Sequence, residues 1–456
     1  MRMKYLGIDI GSTSVKSAVF DLSANQIVTM KKTPSPSRIS HPNPRFFEVP
    51  AQQYLAIVRR TIDEMLALYA DIEGLVLSVQ MHGFVLDGTY ISWQDSRCLD
   101  LSERGSSYIE ELRCRIPPDD MEACGVYLKP SLGLCNFYAK LCQEKTLDQP
   151  HELYTLGSYL ISQLTGKNIC HKMSAAPFGL LDLKSTAWRF DLLSRMGIEH
   201  LRLPAIAAQD FEPCGIYTSS GRSIKIFPDY GDQQVSILGS GAQKSDVVVN
   251  IATASQVSSF SDSLQFGAWE LRPYFDNSYI KVISNMPAGR NLEVLFRFVQ
   301  DAAQFVTGKP QPIEQIRSAL SSLELHTFAP ALTVDMTFYS TQDQLTGGSI
   351  TGIHENNFTL ENVFSAAYTN MAQTYWKNIL RLQKSKEIRA IVCAGGVSWK
   401  SSSLLDAIQA VTNKPCVRSA YPDEAVQGLF LAAQRCAGTK ISMSKSKKPD
   451  QGYGRQ

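Results

Sequence analysis

No Cys-x-x-Cys pair occurs among the ten cysteines of this 456-residue chain. That sets aside zinc ribbons and thioredoxin-like redox motifs. The thiols read instead as reduced, mostly buried small hydrophobes. A charge excess is missing too: 45 Lys+Arg face 43 Asp+Glu, a net of +2. Nothing in that balance calls for broad binding to nucleic acid or to a membrane surface. No apolar run approaches ~18 residues, so no membrane-spanning helix is expected. Asp9 interrupts the first apolar stretch too early for a secretory signal. A cytoplasmic protein is the expectation. The P-loop pattern G-x-x-x-x-G-K-[ST] is absent, and no simple repeat of about 20–50 residues recurs.

What is present is globular. Hydrophobic residues make up 44% and charged residues 19%, with 29 Gly and 21 Pro. At ~150 residues per domain the length suits two or three domains. Tyr5–Ile10, Val15–Asp21 and Gln26–Met30 read as strands separated by short turns, so the first two should pair antiparallel. Residues 33–50 hold five prolines and read as a loop. Leu55, Val58, Ile62, Met65, Leu66 and Tyr69 share one helical face, and Gly74–Gln80 follows as a buried strand. Such alternation indicates an α/β protein. Residues 100–215 read as mostly helical, Phe227–Asp232 as irregular, and 232–239 as a helix. Gly239-Ser240-Gly241 marks a domain junction, giving lobes at 1–241 and 242–440 and a disordered tail at 441–456. Asp246–Ile251 and Ile388–Cys393 read as strands, Glu361–Leu382 and Asp423–Arg435 as helices, with Asp423 as the N-cap. Each half carries a strand ending in a small-residue turn, Asp9–Ser14 and Asn250–Ser255. This echo suggests two related lobes closing over one cleft.

Five segments carry chemistry. In Asp9-Ile10-Gly11-Ser12-Thr13-Ser14-Val15-Lys16, a strand carboxylate can hold hydrated Mg²⁺, and the turn offers N–H and hydroxyl donors to phosphate. Asn250-Ile251-Ala252-Thr253-Ala254-Ser255-Gln256 repeats the strand-to-turn pattern; alone it better describes a buried polar turn. In Ala394-Gly395-Gly396-Val397-Ser398 two glycines permit close backbone approach, although a Gly-Gly pair alone is only a tight turn. Gln80-Met81-His82-Gly83 with Trp93-Gln94-Asp95-Ser96-Arg97 supplies directional hydrogen bonds and an apolar face suited to a polyol. Asp232, in Gly231-Asp232-Gln233, is an N-cap or a general base.

The order of these segments resembles the FGGY family of carbohydrate kinases. The resemblance covers about residues 4–437 and rests on YLGIDIGSTSVKSAVFD, VQMHG, YGDQQVS, NIATASQ and CAGGVSWKS. It implies a two-lobed actin/hexokinase/Hsp70-like ATPase fold, with ribonuclease H-like duplicated domains and an interlobe cleft. It also implies the substrate ATP, the cofactor Mg²⁺, and phosphorylation of a sugar hydroxyl. By that resemblance Asp232 is the general base, and Asp9 and Asp232 serve the metal. Gly11, Ser12, Thr13, Lys16 and Thr253 lie near the phosphates. Gly289, Gly395, Gly396 and Ser398 shape the adenosine pocket. Gln80, Met81, His82, Trp93, Gln94 and Asp95 form the sugar site. ISWQDSRC (91–98), WELRPYFDNSYIKVISNMPAGRNLEVL (269–295) and FYSTQDQLTGGSITGIHENNFT (338–359) resemble the sedoheptulokinase branch. That implies sedoheptulose as substrate, with xylulose or another ketose or polyol as the alternative.

The sequence departs from the family pattern on the nucleotide side. Ala252 stands where glycine is usual and would be strained at positive φ. Ala254 removes a hydroxyl that Ser255 is expected to replace in part, and only Gly289 remains of a usual glycine pair. Val397 and Trp399 are bulkier than the pattern. These departures leave room for a sugar-binding pseudo-kinase. A chaperone-type ATPase is disfavoured, because no peptide-binding β-domain follows. Monomer and homodimer are both compatible with the sequence.

Overall fold

The computed structural model describes residues 3–321, 332–339 and 347–439. The tail at 441–456 and residues 340–346 of the 338–359 stretch lie outside the described residues.

The first lobe begins with β1 (Lys4–Ile10), β2 (Ser14–Asp21) and β3 (Gln26–Pro34), followed by α1 (Ala51–Leu68) and β4 (Ile72–Val79). β1 is buried along its whole length, as its apolar run requires for a strand covered on both faces. The α1 face formed by Leu55, Val58, Ile62, Met65 and Leu66 is buried as its spacing dictates. β5 (Gly215–Ser219) and β6 (Arg222–Gly231) complete a six-stranded sheet in the order β5-β6-β4-β1-β2-β3. β1 pairs antiparallel with β2 and parallel with β4.

Two expectations need correction here. Phe227–Gly231 is the end of β6, not irregular chain; the register shifts between Ile226 and Asp229. Pro228 lacks an N–H and sits in that shift, where a ladder bond is not required. Residues 100–215 are less helical than expected. Short helices such as Tyr108–Arg115, Gly133–Glu144 and Leu156–Thr165 are separated by loops and two-residue strands. They surround their own core of Leu112, Phe137, Phe178 and Leu193.

Helix α2 (Asp232–Gly239) leaves β6 and leads into the second lobe. There β7 (Val247–Ile251), β8 (Ser255–Ser261), β9 (Glu270–Pro273), β10 (Tyr279–Met286), β11 (Ile391–Ala394) and β12 (Cys416–Arg418) form a sheet ordered β9-β10-β8-β7-β11-β12. β7 pairs antiparallel with β8 and parallel with β11, as β1 pairs with β2 and β4. The echo between Asp9–Ser14 and Asn250–Ser255 is thus a duplicated sheet plan. Helices α3 (Gly289–Thr307) and α4 (Leu360–Leu382) belong to this half, with the short α5 (Gly396–Lys400) after β11.

The closing helix α6 (Glu424–Cys436) returns to pack against α2 between the sheets. Asp423 caps it by accepting the Val426 N–H. Tyr5, Phe20 and Val76 of the first sheet, Val248 and Val392 of the second, and Val235, Leu429 and Phe430 of the two helices form one buried cluster. Gly239 and Gly428 let the helices cross in backbone contact. A Cβ on Gly428 would fall on the Val235 carbonyl oxygen, and one on Gly239 on that of Glu424. The two sheets are therefore joined through a close-packed helix pair, so the cleft beside it has fixed walls.

Candidate active site

Asp9 leaves the end of β1 buried, and its Oδ1 accepts the Ser78 hydroxyl at 2.6 Å. Burial raises its pKa; Ser78 and the charge of Lys16 act against that rise, and Asp423 adds to it. Lys16, opposite Asp9 in the β1–β2 register, bridges to Asp423 at 2.9 Å. The turn between them holds Gly11, whose N–H donates to the Ser14 carbonyl, with Ser12 and Thr13 exposed. Asp232 opens α2. Its pKa is raised to about 7, first by burial and then by the charge of Asp9, against the Gln233 N–H and Arg272. Part of its surface remains open, so solvent tempers that rise. The sheet ends therefore bring two carboxylates, 223 positions apart in sequence, within electrostatic reach of one another.

Gln80–Gly83 and Trp93–Arg97 fold against the same corner. Gln80 donates from Nε2 to the Tyr54 hydroxyl at 3.2 Å, while its Oε1 is buried without a partner. Met81 is buried with its sulfur against Gly231. His82 has φ +67°, a strained value that surrounding contacts must hold. Both ring nitrogens are engaged: Nδ1 with the Pro177 carbonyl at 2.9 Å, Nε2 with Arg272 Nη2 at 3.1 Å. A carbonyl only accepts and a guanidinium only donates, so Nδ1 carries the proton and Nε2 accepts. Burial, with Arg272 and Lys129, holds the ring neutral by lowering its pKa well below the usual histidine value. Trp93 and Gln94 are exposed, while Asp95 is buried. Asp95 is committed to Arg97, at 2.9 Å from Nε and 2.8 Å from Nη2, and to the Phe47 N–H. Its place is beneath the segment, orienting it.

Sequence reasoning missed the group that ties this segment to the second lobe. Glu270 and Arg272 project from one face of β9, as residues two apart in a strand must. Glu270 pairs with Lys129 and, at 2.6 Å, with Arg272. Arg272 also donates to Gln233 Oε1, next to Asp232. Burial alone would raise the Glu270 pKa, but Lys129 and Arg272 overcome it and hold the carboxyl well below its usual range. The alternation Glu-x-Arg in a strand was the available signal. Nothing local marks Lys129, 141 residues away.

At the turn between β7 and β8, Ala252 does not have a positive φ, so its Cβ carries no backbone strain. Thr253 is exposed at the turn. The expected replacement hydroxyl is not there: Ser255 is buried, with its Oγ against the Tyr375 hydroxyl at 2.7 Å and the Pro287 carbonyl at 3.2 Å. Gly289 starts α3, and a Cβ there would sit 2.8 Å from the Ala252 oxygen and 3.1 Å from Val397 Cγ2. Gly395 has φ +84°, and its Cβ would meet the Ile251 oxygen at 2.6 Å. Gly396 has open space around it, whereas Ser398 is buried with its hydroxyl on the Gly395 carbonyl. Ser398 thus shapes the turn from within. Between α2 and the second sheet lies a cavity of about 80 Å³, lined by Gln233, Ser236, Asn250, Gln256, Ser258 and Glu424 among others.

Near this corner, Asp229 is fully buried. It accepts the His171 N–H at 2.8 Å and the Thr155 hydroxyl at 3.1 Å, and burial raises its pKa to about 7. An unfolded aspartate titrates near ~3.9, so the contribution of this group to stability is largest in acid. It falls as pH rises through that value and levels off above about 7, once the folded carboxyl is ionised as well. Every tenfold change in proton affinity between the two states is worth ~1.4 kcal/mol. Asp229→Asn is expected to unfold at a higher temperature than the parent at pH 8 and to lose that advantage at pH 4. Equal differences at both pH values, followed by calorimetry, would contradict this.

Comparison with known proteins fits this arrangement. Residues 4–239 match the family model described as the N-terminal domain of the FGGY family of carbohydrate kinases. The chain is 22% identical to sedoheptulokinase of Mus musculus, over 94% of this chain and 97% of that one. It is 21% identical to xylulose kinase of Staphylococcus xylosus, over 66% and 65%. Xylulose kinase from Rhodospirillum rubrum superposes with a TM-score of 0.80 at 18% identity, covering 95% of this chain and 90% of that one. Glycerol kinase of Plasmodium falciparum, solved with ADP, gives 0.78 at 15% identity over 97% and 91%. Among the described residues no helix is long and apolar enough to cross a membrane. With the family match spanning more than half its length, and both lobes built on the same sheet plan, this chain belongs to the FGGY family of carbohydrate kinases.

Proposed function

We propose that the protein transfers the γ-phosphoryl group of ATP to a terminal hydroxyl of a ketose, giving sedoheptulose 7-phosphate from sedoheptulose. The observation that carries the reading is Asp232, a partly open carboxylate at the start of α2, raised to about 7 beside Asp9 and next to the polyol segment. A base with that proton affinity accepts a hydroxyl proton near neutral pH. Phosphoryl transfer asks little more of a protein than positioning and charge neutralisation. Support for the substrate comes from the sedoheptulokinase similarity, which spans nearly all of both chains.

In this reading residues 1–241 carry the sugar and 242–440 the nucleotide. Asp232 takes the proton. Gln80, Met81 and His82 wall the sugar site, with Trp93 and Gln94 at its open side and Asp95 holding them through Arg97. His82 acts through its packing and its bond to Arg272, because both ring nitrogens are engaged. Ser12, Thr13, Gly11 and Lys16 meet the phosphates from the first lobe and Thr253 from the second. Gly289, Gly395 and Gly396 border the adenosine, with Ser398 bracing that turn. Two carboxylates whose charges oppose each other suit a hydrated divalent cation, so Asp9 and Asp232 would hold Mg²⁺. Bound there, Mg²⁺ would neutralise phosphate charge.

ADP release with Mg-ATP across a set of ketoses tests the reading. Sedoheptulose is expected to stimulate turnover at least tenfold more than xylulose. Stimulation by xylulose alone would replace the substrate and keep the mechanism. No turnover with any sugar would overturn the reading.

A further inference from the structure

The phosphate turn of the second lobe is short of donors. Ala254 has no hydroxyl, and that of Ser255 is spent inside the core on Tyr375 and Pro287. The turn is clasped instead to the start of α3. The Gly289 N–H donates to the Ala252 carbonyl at 3.1 Å and the Arg290 N–H to that of Thr253 at 3.0 Å. Arg290 therefore stands directly beside the one exposed hydroxyl of that turn.

Among the described residues its side chain has no counter-ion. Glu293, one helical turn on, is already taken by Arg297 at 3.1 Å and by Arg317 at 2.7 Å. The guanidinium carbon lies 3.6 Å from the centroid of the Tyr339 ring. Asn291, the next residue of α3, donates to the Met336 carbonyl three residues before Tyr339. An arginine lying over an aromatic ring keeps its N–H groups free for an acceptor, and less of its rotamer freedom is lost on binding. On the opposite lobe, Lys16 is already paired with Asp423. A nucleoside triphosphate brings several negative charges to a cleft whose acidic residues, Asp9 and Asp232, add more. An uncommitted cation beside Thr253 answers that imbalance.

We propose that Arg290 is a nucleotide-binding residue of this chain, reaching from the start of α3 to the phosphate chain in place of the donors that Ala254 and Ser255 do not supply. The inference rests on the kinase reading of the cleft. An alternative role is structural only: an exposed cation–π pair with Tyr339, holding α3 to the neighbouring segment.

Calorimetric titration of the full chain with ADP and, separately, with adenosine distinguishes these. Arg290→Gln is expected to weaken ADP by about 10- to 100-fold, the scale of one charge-assisted hydrogen bond. Adenosine affinity should stay within about twofold, KM for ATP should rise with KM for sugar unchanged, and Arg290→Lys should recover part of the loss. An ADP affinity unchanged in Arg290→Gln, with a lowered unfolding temperature, assigns the structural role and overturns the proposal. Equal losses for ADP and adenosine overturn the phosphate contact. Should the parent chain bind no ADP, the kinase reading falls and this contact with it. Parental ADP binding that the variant retains removes only the contact.

Discussion

Asp232→Asn is expected to lower sugar-dependent ADP release by about 10²- to 10⁴-fold, the usual contribution of a positioned general base. Sugar binding should persist, because the residues walling the polyol segment are held by other groups: Gln80 by Tyr54, His82 by Pro177 and Arg272, Asp95 by Arg97. The asparagine keeps the shape of the helix start but has no proton affinity near neutrality. It also removes the carboxylate that Asp9 opposes, so the variant should be no less stable than the parent at pH 8. The parent's activity should fall in acid as Asp232 becomes protonated, since the base must be ionised to accept a proton. Steady-state ADP release, paired with the thermal shift produced by sedoheptulose, separates the two effects. Retained turnover with a retained shift would remove Asp232 from the base role. Loss of both would mean that the carboxylate binds the sugar rather than activates it.

The lobes are readable because their leading strands end in turns, and a turn leaves a local mark. Asp9–Ser14 and Asn250–Ser255 announce a duplicated sheet plan through small and hydroxylated residues alone, and both turns stand where that plan requires. Residues 100–215 are less readable, since short helices and two-residue strands carry too few residues for a period to show. The end of β6 reads as a loop because proline usually signals one, whereas a register shift accommodates Pro228 within the strand. Side-chain commitments are the least legible. Ser255 looks like a spare phosphate donor in one dimension and faces Tyr375 in three. Its partner lies 120 residues away, on a helix whose own pattern says only that one face is apolar. Asp95 and Arg97 lie beside Trp93 and Gln94 in sequence, yet their mutual ion pair is buried while those two side chains are exposed. His82 shows the same limit: its neighbour in sequence is the cleft, but its partner, Arg272, comes from the other lobe.

That partner belongs to the group whose disruption should cost the fold most. Lys129, Glu270 and Arg272 are all buried, and Glu270 is the single carboxylate between the two cations. Glu270→Gln keeps the side-chain shape but leaves both cations without their counter-ion. Removing one member of a buried pair costs about 3–5 kcal/mol. The parent carboxyl is held well below its usual range, so its contribution is complete above the unfolded value near ~4.3. It fades only as pH falls through the lower folded value. The gap between parent and variant should therefore hold from pH 5 to neutrality and narrow in strong acid. Burial already lowers the proton affinity of Lys129, and without Glu270 it should drop further. A lysine with a depressed folded pKa is destabilising below that pKa, and the penalty shrinks as pH rises toward the unfolded value. Glu270→Gln should accordingly regain stability as pH rises above neutrality, and adding Lys129→Met should remove that pH dependence. Urea unfolding at pH 5, 7 and 9 reads all three results. The same variant loosens Arg272, which orients His82 and Gln233 from across the lobes. KM for the sugar should then rise more than KM for ATP. A stability loss below about 1 kcal/mol at pH 7 would mean that water reaches the pair and that the lobes are held by the crossing of α2 and α6 alone.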